Sequence, residues 1–236
     1  MPGREAGKDY PRQFKGNAMA ALFRHRRTFV DFVDAFIDLR GARGALRFDR
    51  AEMLPQGFVT EKLRAGARDV LWQVPVEDCG TFAVFLIEHQ SAVDFSMPMR
   101  MQLYKHRIWQ DQRAAVSARI RCAEGFRWPL VIPIVFYTGA APWSGPVRLA
   151  DILAHGGDFE ELSAAMEFLL VDVGCLSDTQ VMAPGNFARA IVRLIRAMSF
   201  RDTEAEFFAA FDALRGRATI TFRFGPLDYV RFGRDD

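Results

Sequence analysis

The sequence predicts an α/β fold with a mixed central sheet flanked by helices. Three observations predict it. Phe82–Ser91 and Leu130–Tyr137 are short apolar runs rich in Val, Ile and Phe, the pattern of strands buried on both faces. Asn17–Leu39 and Ser96–Arg121 carry apolar residues at spacings of three and four, the pattern of amphipathic helices. The order along the chain is helix, three strands, long helix, strand, short helices, strand, helices, and it calls for a sheet covered by helices.

The elements follow from their residues. Residues 1–15 read as a loose basic N-terminal segment, 16–183 as the α/β domain, and 184–236 as a helical C-terminal appendage and tail. Within Asn17–Leu39 the apolar positions are Ala18, Ala21, Leu22, Phe29, Phe32, Val33, Phe36 and Ile37, with Gly41 and Gly44 as stop signals. Leu46–Leu54 is a candidate first strand, and Pro55–Gly66 a connector. Arg68–Val74 is a second strand that opens with Asp69. Pro75–Gly80 has the composition of a turn into Phe82–Ser91. In Ser96–Arg121, expected to be one long helix, Met97, Met101, Tyr104, Ile108 and Val116 form a candidate buried stripe. Pro133 lacks a backbone donor and points to a sheet edge or a bulge in Leu130–Tyr137. Gly139–Pro146 is a loop carrying Trp143, which is expected to pack over the sheet edge. Leu149–His155 and Phe159–Met166 are short helices, Phe168–Val173 a last strand, Asn186–Met198 and Glu204–Arg215 amphipathic helices, and Thr219–Phe224 alternates like a strand.

Composition narrows the function classes. Half of the 236 residues are hydrophobic and 25% are charged, which fits a packed globular core. A net charge of +2 gives no strong case for a nucleic-acid binder. Residues 1–50, however, hold eleven Lys/Arg against six Asp/Glu, a local basic surface able to meet phosphates or simply a solvated helix face. Cys79, Cys122 and Cys175 are isolated, without the spacing of a zinc site, and their sparse odd count fits a reducing cytoplasm. Met1–Gly16 lacks the apolar core of a signal peptide. Trp128–Trp143, the longest apolar stretch, is too short and too broken by proline to span a membrane. No P-loop, G-x-S-x-G or H-E-x-x-H pattern is present.

The candidate site lies where the apolar run Phe82–Ile87 gives way to Glu88-His89-Gln90. Side chains alternate across a strand, so Glu88 and Gln90 share one face and His89 takes the other. Two antiparallel strands joined at Pro75–Gly80 bring Asp69, at the start of one, near Glu88, at the end of the other. Two converging carboxylates suit a hard divalent cation such as Mg²⁺, which takes one or two protein carboxylates and leaves room for water and phosphate. Gln90 is placed to orient a water but, as an amide, not to accept its proton. Arg100 and Tyr104, one helical turn apart, face the same region as candidate substrate-binding residues. Each has a plainer reading: a salt-bridged strand-end Glu88, a packed and hydrogen-bonded His89, an Arg100 paired with Asp94. Trp72, Trp109, Trp128 and Trp143 read as core or rim, or as a stacking surface for a base.

Several strings together carry a resemblance. They are Asp69-Val70-Leu71-Trp72, Phe85-Leu86-Ile87-Glu88-His89-Gln90-Ser91, Met97-Pro98-Met99-Arg100-Met101 with Tyr104, and Trp128-Pro129-Leu130-Val131-Ile132-Pro133-Ile134-Val135-Phe136-Tyr137-Thr138-Gly139 with Pro142-Trp143. In order and spacing over Gly57–Trp143 the chain resembles the recombination-promoting nuclease family, whose members also carry the description "putative transposase". The family falls in the PD-(D/E)XK nuclease superfamily. The resemblance implies a restriction-endonuclease-like αβββαβ core and a metal-dependent DNA endonuclease that promotes recombination or mobile-element transfer. It implies Asp69 and Glu88 as metal ligands and Gln90 in the place of the superfamily's lysine, with Mg²⁺ (Mn²⁺ or Ca²⁺ as alternatives) as cofactor. DNA is then the partner, with no membrane, a cytoplasmic location, and a homo-oligomer left open. Two regions depart from the pattern. The family's opening His-Asp and Phe-Lys is represented only by Lys8-Asp9 and the distant Phe14-Lys15, and Arg217–Asp236 is unlike the family's helical tail. The alternative reading is an inactive DNA- or protein-binding remnant of the same fold. A nuclease acting on RNA is a third reading.

Overall fold

The computed structural model describes residues 22–54, 70–77, 80–159, 167–183, 186–200, 221–223 and 229–231. The expected connector Pro55–Gly66, the opening Arg68-Asp69, the helix Glu204–Arg215 and nearly all of Phe159–Met166 lie outside these residues. So do Lys8, Asp9 and Phe14-Lys15.

Five strands form one sheet in sequential order: β1 Glu52–Met53, β2 Val70–Pro75, β3 Phe82–Gln90, β4 Leu130–Tyr137 and β5 Leu169–Asp172. β2 runs antiparallel to its neighbours β1 and β3, whereas β3, β4 and β5 are parallel, so the sheet is mixed. β3 is the central strand. Ala83 through His89 are all buried, which is why Phe82–Ile87 reads as an unbroken apolar run. From the helix Arg26–Phe36 to β4 the order is helix, three strands, helices and strand, in line with the order read from the sequence.

Alternation along the strands divides the core into two layers. Val70, Trp72, Val74, Phe85, Ile87, Ile134 and Phe136 face α1 (Arg26–Phe36) and α5 (Phe187–Phe200). Rings dominate this layer: Phe29 stacks on Trp72 at 4.9 Å, and Phe32 meets Phe136 edge-on at 5.7 Å. The Trp72 indole donates to the Phe23 carbonyl at 2.8 Å, which satisfies a buried N–H. Helix α5 lies beyond the boundary expected at 183/184, and Phe187, Ala188, Ile191 and Leu194 nonetheless belong to this same layer. On the other face Leu71, Val84, Leu86, Val131 and Val135 meet α2 (Met97–Ala115) through Met97, Met101, Tyr104 and Ile108.

Three elements differ from expectation. The Asn17–Leu39 helix is interrupted: Leu22 and Phe23 are helical, a turn at Arg24-His25 follows, and α1 begins at Arg26. Leu46–Leu54 is a strand only at β1, because a 3-10 turn over Phe48–Arg50 drives the Phe48 ring into the core against Phe29 and Phe85. Ser96–Arg121 is two helices. Val116 is extended, and the Ser117 hydroxyl accepts from Ile120 N to cap α3 (Ala118–Arg121), so Val116 leaves the buried stripe. Pro133 causes no bulge. It pairs with Leu86 in register, while β5 joins β4 only from Ile134, so the missing donor sits at a local edge. Beyond the sheet, α4 spans Asp178–Met182, and β6 (Thr221–Arg223) pairs antiparallel with β7 (Tyr229–Arg231), in line with the strand expected there.

Candidate active site

The site is built at the C-terminal end of β3 on the α2 face. Glu88 and Gln90 project from alternate positions onto the layer that α2 covers, and His89 projects to the other, as alternation requires. Glu88 is 4% exposed. A carboxylate so buried needs compensating donors, and its Oε1 has two. Arg100 Nη2 donates at 2.7 Å, and Gln90 Nε2 donates at 2.6 Å. A carboxylate only accepts, so the nitrogen of the Gln90 amide must face it.

Arg100 extends the network. It lies in the first turns of α2, whose start is fixed by Asp94: Asp94 Oδ1 accepts from the Ser96 amide at 2.8 Å and from the Ser96 hydroxyl at 2.6 Å. Asp94 Oδ2 takes Arg100 Nη1 at 2.7 Å, so one guanidinium bridges two carboxylates. Tyr104, one turn on, accepts from Arg100 at 3.3 Å. Burial opposes the charged form of Arg100, but Tyr104, Glu88 and Asp94 outweigh it and raise its pKa above the usual arginine value. Burial likewise opposes ionisation of Asp94, and the Ser96 and Arg100 donors overcome it, leaving the carboxyl below its usual range.

The predicted residues therefore divide. Glu88, Gln90, Arg100 and Tyr104 come together in one cluster, and Asp69 lies outside the described residues. Arg100 takes the plainer expected partner Asp94 and the candidate site residue Glu88 at once. His89 is buried, with Nε2 2.9 Å from the Thr138 hydroxyl, and is a packing residue. Asp94 was legible only as a partner for Arg100. Its Asp-x-Ser string ahead of an apolar helix is the turn signal that marks its second role.

The neighbouring wall is structural. Trp143 meets Tyr137 edge-on at 5.1 Å, its amide donates to Asp172 at 2.7 Å, and its indole donates to Gly145 O at 2.8 Å. Among the described residues no group of three or more His, Cys, Asp or Glu is gathered to hold a metal. A hard cation takes carboxylate oxygens of the kind that Glu88 and Asp94 supply, but the Arg100 guanidinium already balances both, so a cation at Glu88 would compete with Arg100 for its carboxylate. No helix among the described residues is long and apolar enough to cross a membrane.

These features define a mixed α/β protein with a buried, arginine-bridged acid at the end of its central strand. The chain belongs to the family described as "Putative transposase, YhgA-like", whose model matches residues 19–219. Its relatives include the recombination-promoting nuclease RpnD of Escherichia coli O157:H7, 30% identical over 69% of this chain and 61% of that protein. The recombination-promoting nuclease RpnC of Escherichia coli K12 is 26% identical over 67% of this chain and 50% of its own length. A third relative from K12 is the inactive recombination-promoting nuclease-like protein RpnE, 29% identical over 54% of this chain and 40% of its own. The matches thus span between 40% and 61% of the length of these three relatives. No solved structure matches the chain.

Proposed function

We propose that the protein is a metal-dependent DNA endonuclease with a PD-(D/E)XK core, acting in recombination or mobile-element transfer. The observation that carries this reading is Glu88. An ionisable carboxylate is kept buried at a strand end, with an amide and a guanidinium both aimed at one oxygen. A purely structural strand would more cheaply carry an apolar residue there. The names of RpnD and RpnC support the nuclease class.

Asp69 is one peptide bond before Val70, and Val70 pairs with Ile87. On this reading Asp69 and Glu88 hold Mg²⁺ or Mn²⁺. When bound, the ion supplies Lewis-acid activation of water and charge stabilisation on the phosphate. The chain's own groups do the rest. Gln90 orients the attacking water through its amide, and Arg100 fixes the Glu88 carboxylate and presents charge to the phosphate. Tyr104 holds Arg100 in place. Hydrolysis adds that water across a phosphodiester P–O bond, and the proton passes to solvent because an amide does not accept it.

The second reading is an inactive DNA- or protein-binding relative. Arg100 already neutralises Glu88, and RpnE carries the word inactive in its name. Nicking of supercoiled plasmid separates the two. Wild type is expected to nick with Mg²⁺ and to stop with EDTA, and Glu88→Ala and Asp69→Asn are expected to be inactive while folded by circular dichroism. Equal nicking by wild type and Glu88→Ala would falsify the nuclease site. Inactivity of wild type with both Mg²⁺ and Mn²⁺ selects the second reading.

A further inference from the structure

The connection from α2 to β4 carries a second surface, at the opposite end of the sheet from Glu88. Leu130 pairs with Ala83, five residues before Glu88 on β3, so the two ends are about 16 Å apart at ~3.3 Å per residue. Between 113 and 128 stand Arg113, Arg119, Arg121 and Arg127 against Glu124 alone, a local surplus of three positive charges that exceeds the +2 of the whole chain.

The charges are available. On the other basic stretch, Arg40, Arg43, Arg47 and Arg50 each pair with a carboxylate, from Glu167, Asp34, Asp49 and Glu77. Among the described residues none of the four arginines between 113 and 127 does. Arg121 donates to the Arg113 and Val116 carbonyls, and Arg127 to the Glu124 and Phe126 carbonyls. Those bonds fix the guanidinium groups at the end of α2 and in the following turn without cancelling their charge. Arg113 and Arg119 are exposed.

Aromatic surface adjoins this charge. Trp128 is 43% exposed, and Phe126 meets it edge-on at 5.1 Å and 87°, which holds the indole in one orientation. Of the four tryptophans it is the one classed as exposed; Trp72 is buried, and Trp109 and Trp143 are half-buried with their indole N–H groups bonded to carbonyls. Ile120 and Leu130, in the same stretch of chain, are also exposed, at 55% and 62%. A protein partner of ordinary composition would meet unpaired guanidinium groups here without a reason for their excess. A nucleic-acid strand meets both halves, phosphates on the arginines and a base face on the indole.

We infer that the ledge formed by residues 113–130 is a binding surface for single-stranded DNA, separate from the Glu88 site. An indole face stacks only on a base whose own face is open, which selects a single strand over a duplex. Naming the strand as DNA rests on the nuclease reading; the surface does not.

The test is fluorescence anisotropy of labelled twenty-nucleotide oligo-dT in EDTA, where no cleavage occurs. Arg113→Glu/Arg119→Glu is expected to weaken binding at least tenfold. Its milder counterpart Arg113→Gln/Arg119→Gln should lower the slope of log affinity against log salt by about 1.4, at ~0.7 per lost phosphate contact. Trp128→Ala is expected to lose about fivefold or more on oligo-dT. Wild-type affinity and wild-type salt slope in the arginine variants, or wild-type affinity in Trp128→Ala, overturns the proposal. Because nicking reads cleavage and this assay does not, each proposal can fail alone.

Discussion

Arg100 Nη2 lies 2.7 Å from Glu88 Oε1, joining a side chain that is 32% exposed to one that is 5% exposed. The partnership spans two elements, the first turns of α2 and the end of β3, and so ties the helix to the sheet at the candidate site. Removing one partner strands the other. Arg100→Gln is expected to destabilise the metal-free protein by about 2 kcal/mol, below the ~3–5 of a fully buried pair because Arg100 reaches solvent. Glu88→Gln/Arg100→Gln is expected to lose less than the sum of the single changes. Urea denaturation in EDTA measures all three, and strict additivity would show that the pair is not coupled.

Gln90 shares the same carboxylate oxygen, at 2.6 Å. Gln90→Ala removes a donor and the proposed water orientation but leaves Glu88 and Arg100, so nicking should fall by about 10- to 100-fold rather than vanish. Gln90→Lys restores a donor and adds a charge that steadies the phosphate, so it should retain more activity than Gln90→Ala. The reverse order in a plasmid-nicking time course would remove Gln90 from the proposed mechanism.

The parts of this arrangement visible from sequence are those that depend on periodicity. The two-sided burial of β3 shows in Phe82–Ile87, and the facing of Glu88 and Gln90 follows from period two. What periodicity cannot show is where a tertiary contact overrides it. The stripe expected through Ser96–Arg121 runs as far as Val116, yet the chain breaks there because the Ser117 hydroxyl caps the Ile120 amide. Phe48 reads as a strand residue by composition, yet a place among Phe29 and Phe85 bends its backbone into a turn. The bridging of Asp94 to Glu88 through Arg100 spans three segments, and no local pattern reports it.

Asp94 gives the site an acid limb. Its folded-state pKa is depressed below the ordinary 3.8, with the Ser96 and Arg100 donors outweighing burial. A depressed carboxylate contributes stability in full above its unfolded pKa and loses it as pH falls through the folded one. The loss therefore begins near pH 3.8 and deepens below it. Thermal midpoints of wild type and Asp94→Asn should differ most near neutral pH and converge as the pH falls below 3.8 and through the depressed folded value. Curves that stay parallel down to pH 2 would mean that Asp94 ionisation does not stabilise this corner.

Gly139 is set by its neighbour. Its backbone is not in the left-handed region, yet a Cβ there would run into the Tyr137 phenol. Tyr137 Oη donates to the Ala141 carbonyl at 2.8 Å, and its ring carries the edge of Trp143. Gly139→Ala should displace that ring and cost about 1–3 kcal/mol through overpacking and the lost hydrogen bond. A shifted tryptophan emission should accompany the lower thermal midpoint, and an unchanged midpoint would show that the loop absorbs the methyl group.

Trp143 and Trp128 should behave oppositely. Trp143 packs on Tyr137 and Phe168, at 5.1 and 6.2 Å, and its own amide is held by Asp172. Its truncation opens the wall between β4 and β5, and Trp143→Ala is expected to cost about 2–3 kcal/mol, less than a fully buried tryptophan because its side chain is half-buried. Trp128 is 43% exposed and meets Phe126 edge-on at a surface position, so Trp128→Ala should stay within about 0.5–1 kcal/mol of wild type. Oligo-dT binding inverts the ranking: folded Trp143→Ala, measured well below its midpoint, should bind like wild type, whereas Trp128→Ala should not. A Trp143→Ala variant with an unchanged midpoint and lost DNA binding would transfer the stacking role to Trp143 and leave Trp128 a bystander.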